Sequence, residues 1–127
     1  MRILITGAQG QLGHALQQAL SGEDLVLKDL PEFDLTRPDS EAQIVAARPS
    51  VILHVGAYTN VDGAEREPDR AMLVNAQGTI LVARAAATIN ARLIYLSTDY
   101  VFDGTQTTPY REEDIPHPIN AYGQSKR

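Results

Sequence analysis

The sequence has 127 residues, enough for one domain around one buried core. With 43% hydrophobic and 21% charged residues it has an ordinary globular composition, and a formal net charge of -5 argues against nucleic acid as a bulk partner. No basic amphipathic stretch suits a membrane surface, no apolar run reaches the ~20 residues of a spanning helix, and the lack of cysteine fits a cytoplasmic location.

The chain opens on a strand pattern, Arg2 to Thr6, and Gly7 follows too soon for Met1 to Gly7 to be a secretory leader. A helix follows, with Leu12, Leu16, Ala19 and Leu20 at helical spacing and Gly22 as its stop. The next elements are a strand over Asp24 to Lys28, a helix from about Pro38 to Ala47, and a strand over Ser50 to Val55. A long Ala-rich helix, about Pro68 to Asn90, leads to a fourth strand, Arg92 to Ser97. The strand centres are continuous apolar runs, as when both faces of a parallel sheet are covered. Alternating strands and helices predict an α/β fold, a doubly wound three-layer parallel sheet of the Rossmann type. Gly104 to Pro118, polar and proline-rich, reads as a surface loop leading into a last helix near Ala121. In such sheets ligands bind beyond the carboxyl ends of the strands. That predicts a cleft lined by Gly7 to Gly13, the residues after Lys28, Gly56 to Asp62, and Ser97 to Phe102.

Thr6-Gly7-Ala8-Gln9-Gly10-Gln11-Leu12-Gly13 places three glycines at three-residue intervals between the first strand and first helix. That is where a dinucleotide loop needs small residues: Gly7 for the turn, Gly10 for backbone approach to a pyrophosphate, Gly13 for helix-strand packing. A ribose-binding acid is expected about 20 residues further on, where Lys28 and Asp29 stand side by side. Asp29 suits the 2′-hydroxyl of NAD and Lys28 the 2′-phosphate of NADP, while both also suit a solvated strand end. At the other end of the chain Tyr122 and Lys126 are four residues apart, on one face of a helix. An ammonium there favours the ionised phenol, which makes the tyrosine a usable proton donor and acceptor. His14, His54 and His117 lack metal-ligand spacing, and no metal site is expected.

Ser97-Thr98-Asp99-Tyr100-Val101-Phe102-Asp103-Gly104, Pro109-Tyr110 and Asn120-Ala121-Tyr122-Gly123-Gln124-Ser125-Lys126 together resemble the dTDP-4-dehydrorhamnose reductases, among the extended short-chain dehydrogenase/reductases. Asp34-Leu35-Thr36, Ala57-Tyr58-Thr59-Asn60-Val61-Asp62 with Ala64-Glu65, and Asn75-Ala76 add to the resemblance. It runs the whole length of the chain and covers about the first half of a typical member. The chain therefore reads as an incomplete dinucleotide-binding domain over 1-127, without its substrate domain and inactive by itself.

The resemblance implies NAD(P)H-dependent reduction of the C4 ketone of dTDP-4-dehydro-L-rhamnose, in dTDP-L-rhamnose synthesis. It makes Thr98, Tyr122 and Lys126 the catalytic trio, with Tyr122 protonating the developing alkoxide and Lys126 holding the nicotinamide ribose. Thr98 would hydrogen-bond the reacting oxygen, although a strand-end threonine also commonly caps a turn. Cofactor contacts are implied for Gly7, Gly10, Gln11, Leu12 and Gly13, for Asp34 and Leu35 by the adenine, and for Ala57 and Tyr58 by the nicotinamide. Asn75 would face the cofactor, or be a surface amide. Asp99, Tyr100, Val101 and Phe102 would shape the sugar pocket, with Val101 and Phe102 also suited to the core.

The cofactor implied is NADPH or NADH and the partner a nucleotide-linked 4-keto sugar; a homodimer is compatible with both. Related 4,6-dehydratases carry Asp-Glu after the threonine, where this chain has Asp99-Tyr100, which argues for reduction rather than loss of water. Val55-Gly56 and Gly63 depart from the family pattern, which has Ala-Ala and often Lys at these places. Two other readings remain. One is a non-catalytic dinucleotide-binding subunit similar to the regulatory β subunit of methionine adenosyltransferase. The other is an inactive cofactor-binding remnant.

Overall fold

The computed structural model describes every residue, Met1–Arg127. Two compact units divide the chain: Met1–Ala57 with Gln77–Leu96, and Tyr58–Ala76 with Ser97–Arg127.

The first unit holds the sheet. Its strands are β1 (Arg2–Thr6), β2 (Asp24–Lys28), β3 (Val51–His54) and β4 (Arg92–Tyr95), all parallel in the order β2-β1-β3-β4. Three helices cover it: α1 (Gln11–Ala19), α2 (Asp39–Ala47) and α5 (Gly78–Thr88). Alternate residues of β1 point to opposite layers, as a two-residue period requires. Leu4 meets Ile44 of α2 and Val82 and Ala85 of α5, while Ile3 and Ile5 meet Leu16 of α1. Helices on both faces make this the Rossmann-like doubly wound sheet expected. Thr6 is level with Lys28 on one side and His54 on the other. The register thus brings the loop after Gly7, Asp29 and Gly56 to one end of the sheet.

The second unit is helical. It contains α3 (Val61–Arg66), α4 (Pro68–Ala71), a π-helical turn (Met72–Gln77, shared at its last residue with the first unit), a 3-10 turn (Asp99–Val101) and α6 (Ala121–Lys126). Its small core is Ala64, Ala71 and Tyr122, with Tyr58, Val61 and Ala121 packed around it. No helix in the chain is long and apolar enough to cross a membrane.

The elements follow the expected order, with three differences. β3 and β4 are shorter, ending at His54 and Tyr95. The long third helix is continuous in outline but loosens into the π-helical turn over Met72–Gln77. α3 was not anticipated. Its signal is Asn60, whose side chain accepts from the Gly63 N–H at 2.8 Å and caps the helix. Six residues carry too little apolar periodicity to be seen otherwise.

Candidate functional site

In the first unit the nucleotide loop is set by backbone geometry. Gly7 has φ +68°, the left-handed region that favours glycine, and a Cβ there would stand 2.5 Å from the Cα of Gly56. Gly56, a departure from the family pattern, is thus the residue Gly7 leans on. Gly13 is buried, and a Cβ on it would overlap the carbonyl oxygens of Gly7 and Ala8. Gly10 begins α1 without any side-chain cap, and Gly10, Gln11 and Leu12 are exposed. The start of α1 is thus accessible, at the end of the helix where the dipole favours an anion.

Asp29 is tied to this loop. Its Oδ2 accepts from the Gln9 N–H at 2.7 Å and its Oδ1 from the Leu30 N–H at 2.8 Å. Gln9 returns a bond from Nε2 to the Leu30 carbonyl at 3.1 Å. Gln17 of α1 closes the loop from the other side, donating from Nε2 to the carbonyls of Ala8 and Gly13. A pocket of about 310 Å3 opens beside the loop, with Gln9, Lys28, Asp29 and Phe33 in its wall. Lys28 donates to Gln43 Oε1 at 3.0 Å and lies 5.8 Å from the centre of the Phe33 ring. Asp34 shapes the entry to α2: its Oδ1 accepts from the N–H and hydroxyl of Thr36, and its carbonyl from Ser40. Leu35 packs over Gly78, and Ala57 is half-buried.

The second unit brings together Tyr58, Asn75, Tyr122 and Lys126. Asn120 begins α6 by accepting from the Gly123 N–H at 2.7 Å, and the Ala121 N–H donates to Glu65 at 2.6 Å. Gly123 is buried because a side chain there would overlap the Tyr100 carbonyl. That close approach lets the Tyr122 ring meet Tyr100 edge-on, with ring centres 5.6 Å apart. Tyr122 is 9% and Lys126 6% exposed. Burial pushes the Lys126 ammonium down from its ordinary value to about 8.

Asn75 sits on the π-helical turn, 2% exposed. Its Oδ1 accepts from the Tyr58 N–H at 2.8 Å, and its Nδ2 donates to the Tyr58 carbonyl at 3.0 Å and to Ser125 Oγ at 2.8 Å. It is an interior bracket, and the surface-amide alternative does not describe it. Thr98 caps the 3-10 turn, accepting from the Tyr100 N–H at 3.3 Å and donating to Asp99 Oδ1 at 3.1 Å. Asp99 and Tyr100 are exposed, Val101 is buried, and Phe102 stacks on Tyr110 with ring centres 4.1 Å apart. Gly63 also has a structural reason: a side chain would collide with the Tyr58 hydroxyl and the capping amide of Asn60.

Sequence reasoning missed Gln17 and Ser125. Gln17 lies one turn beyond Gly13 and had no motif to mark it. Ser125, between Tyr122 and Lys126, could have been found as a small polar residue on the buried face of the last helix. His54 is an interior residue, as a structural histidine would be: its Nδ1 is 2.6 Å from Thr6 Oγ1 and its Nε2 3.0 Å from Thr79 Oγ1.

Comparison with known proteins adds to this geometry. The family model of the RmlD substrate binding domain matches residues 1–127. A dTDP-4-dehydrorhamnose reductase of Aggregatibacter actinomycetemcomitans is 43% identical over 98% of this chain and 44% of its own length. A hypothetical dTDP-4-dehydrorhamnose reductase of Sulfolobus tokodaii superposes with a TM-score of 0.93 at 43% identity, over 99% of this chain and 49% of that one. The enzyme of the same name from Bacillus anthracis, solved in complex with NADP, superposes with a TM-score of 0.90 at 44% identity, over 98% of this chain and 46% of its own. The chain thus spans less than half the length of the relatives it matches.

Proposed function

The chain belongs to the dTDP-4-dehydrorhamnose reductase family, and from that premise we propose that its protein reduces the C4 ketone of dTDP-4-dehydro-L-rhamnose with NADPH. The observation that carries this reading is the placement of Tyr122 and Lys126, four residues apart and both buried, on α6.

The residues present fit a dinucleotide. The loop excludes side chains at Gly7 and Gly13 and leaves the uncapped start of α1 open at Gly10, Gln11 and Leu12, which suits a pyrophosphate. Asp29 or Lys28 would take the adenosine ribose, Asp34 and Leu35 the adenine, and Ala57 and Tyr58 the nicotinamide end, with Asn75 serving there by holding the Tyr58 backbone. The Bacillus anthracis relative binds NADP, which favours NADPH here. Bound there, the cofactor supplies hydride to the carbonyl carbon. Tyr122 gives its hydroxyl proton to the carbonyl oxygen, so ketone, hydride and proton balance as the alcohol. Lys126 holds the ribose hydroxyls and keeps positive charge beside the phenol as it loses its proton. Thr98 hydrogen-bonds the same oxygen, and Asp99, Tyr100, Val101 and Phe102 shape the sugar side. Asp99-Tyr100 lacks the carboxyl pair that elimination of water requires.

The test has two arms. NADPH fluorescence on this chain should show binding that Gly7→Ala abolishes. The gene product carrying this sequence should consume NADPH with dTDP-4-dehydro-L-rhamnose, and Tyr122→Phe should stop it. Tight binding without turnover of any 4-keto sugar nucleotide would favour the regulatory-subunit reading, and no binding would sink both.

A further inference from the structure

Ser125 carries no role in the chemistry above, yet its side chain is placed with unusual economy. It is 2% exposed, among the most enclosed polar residues in the chain. Its hydroxyl donates to the Tyr122 carbonyl at 2.7 Å and accepts from Asn75 Nδ2 at 2.8 Å. A serine hydroxyl has one hydrogen. Because that hydrogen goes to Tyr122, Asn75 must present its NH2 to Ser125, and its carbonyl oxygen is left to receive the Tyr58 N–H. The bonds therefore run in one direction, from the Asn75 amide through Ser125 to the backbone of Tyr122. The same amide fixes both backbone groups of Tyr58.

We propose that Ser125 is a positioning residue: it transmits the hold of Asn75 to α6 and so sets the pose of Tyr122 and Lys126. This deepens the reductase reading and rests on it for the roles of those two residues. Within the second unit α6 is fixed by bonds its residues make outside the helix, from Ala121 to Glu65, from Asn75 to Ser125 and from Ser97 to Lys126. Capping by Asn120 secures its first turn, and Gly123 sets one face of the helix against Tyr100. Ser125 grips it one residue before Lys126, while Ser97 Oγ donates to the Lys126 carbonyl at 3.4 Å. In this low-dielectric interior a completed polar chain is rigid and a broken one is costly.

The experiment reads the pose without turnover. Lysine labelled with 13C at Cε reports Lys126, its signal identified by its loss in Lys126→Arg. With Ser125 intact, Lys126 titrates near 8. Ser125→Ala should move it up by about one pH unit or more as α6 loosens and the ammonium gains water. Amide exchange over residues 121–127 should rise roughly tenfold while α3 and β1 stay as they were. Ser125→Thr, which keeps the hydroxyl, should restore both. Should the alanine variant fold poorly, Ser125→Cys, with a weak donor of nearly the same shape, serves instead. An unchanged Lys126 titration and unchanged α6 exchange overturn the proposal, and so does loss of protection across the whole second unit. NADPH binding by the unaltered chain separates this outcome from failure of the reductase reading.

Discussion

Both ends of the Asn75 amide close on one residue, Tyr58: the Tyr58 N–H donates to Oδ1 at 2.8 Å and Nδ2 donates to the Tyr58 carbonyl at 3.0 Å. An amide carries its acceptor and its donor on separate atoms, so it can close on the N–H and the carbonyl of one residue together. The π-helical turn that carries Asn75 provides the match, since a widened turn re-aims a side chain that a regular helix would direct elsewhere.

Asn75→Ala leaves a part-buried N–H and a part-buried carbonyl of Tyr58 without these partners. At about 1–3 kcal/mol for each unsatisfied group, stability should fall by roughly 2–6 kcal/mol. Asn75→Asp should cost more, because it turns two donated bonds into contacts between acceptors. Urea denaturation of the three proteins checks the order.

Gly123→Ala should be worse than an ordinary exposed helix substitution, where alanine is favoured by about 1 kcal/mol. The added methyl meets the Tyr100 carbonyl and, at 3.0 Å, the Pro118 side chain. We expect a net loss of about 1–3 kcal/mol from overpacking and a displaced α6, visible as a changed Tyr122 ring environment by near-ultraviolet circular dichroism.

Lys126 gives stability a pH dependence of defined sign. Its folded value, about 8, lies below the ordinary 10.5. Between these values the unfolded chain holds more protons, so this residue makes stability rise with pH across that window. Below about 8 both states are charged and the burial cost is fully present. Lys126→Met removes the titration, so the variant should be the more stable at pH 7 and the difference should close by pH 10.5. Equal differences at the two pH values would contradict the assignment.

Asp103 orders the loop that leads to α6. It accepts from the Thr105 N–H and hydroxyl, from the Tyr110 hydroxyl at 3.0 Å, and lies 3.2 Å from His117 Nδ1. The Thr105 N–H foremost, then its hydroxyl and His117, hold the carboxyl below its ordinary range. With a depressed carboxylate the contribution is present above about pH 4 and lost as pH falls. Asp103→Ala should speed proteolytic cleavage between residues 104 and 118 at pH 7, and wild type should approach the same rate on acidification.

Much of this protein was legible in one dimension. Continuous apolar runs such as Ile3-Leu4-Ile5 and Val51-Ile52-Leu53 are covered on both faces, which only a parallel sheet between helical layers provides. Three glycines at fixed spacing marked the loop after β1, because the positive φ of Gly7 is a local backbone demand that glycine meets. The approach of Gly56 that also bars a side chain there is tertiary. Tyr122 and Lys126 were legible because a helix of 3.6 residues per turn brings positions four apart onto one face.

The tertiary structure decided what local pattern does not encode. That Asp29 ties down Gln9, 20 residues away, depends on the register of β1 against β2. That Asn75 is a bracket depends on a π-helical turn and on Tyr58, 17 residues distant. Ser125 meets Asn75 across 50 residues, a separation at which spacing carries no information and packing determines which groups meet. Residue types and periods specify elements, because backbone sterics and burial act locally. The partners of buried polar atoms are settled only when the whole chain closes, because each must be satisfied by whatever the fold brings beside it.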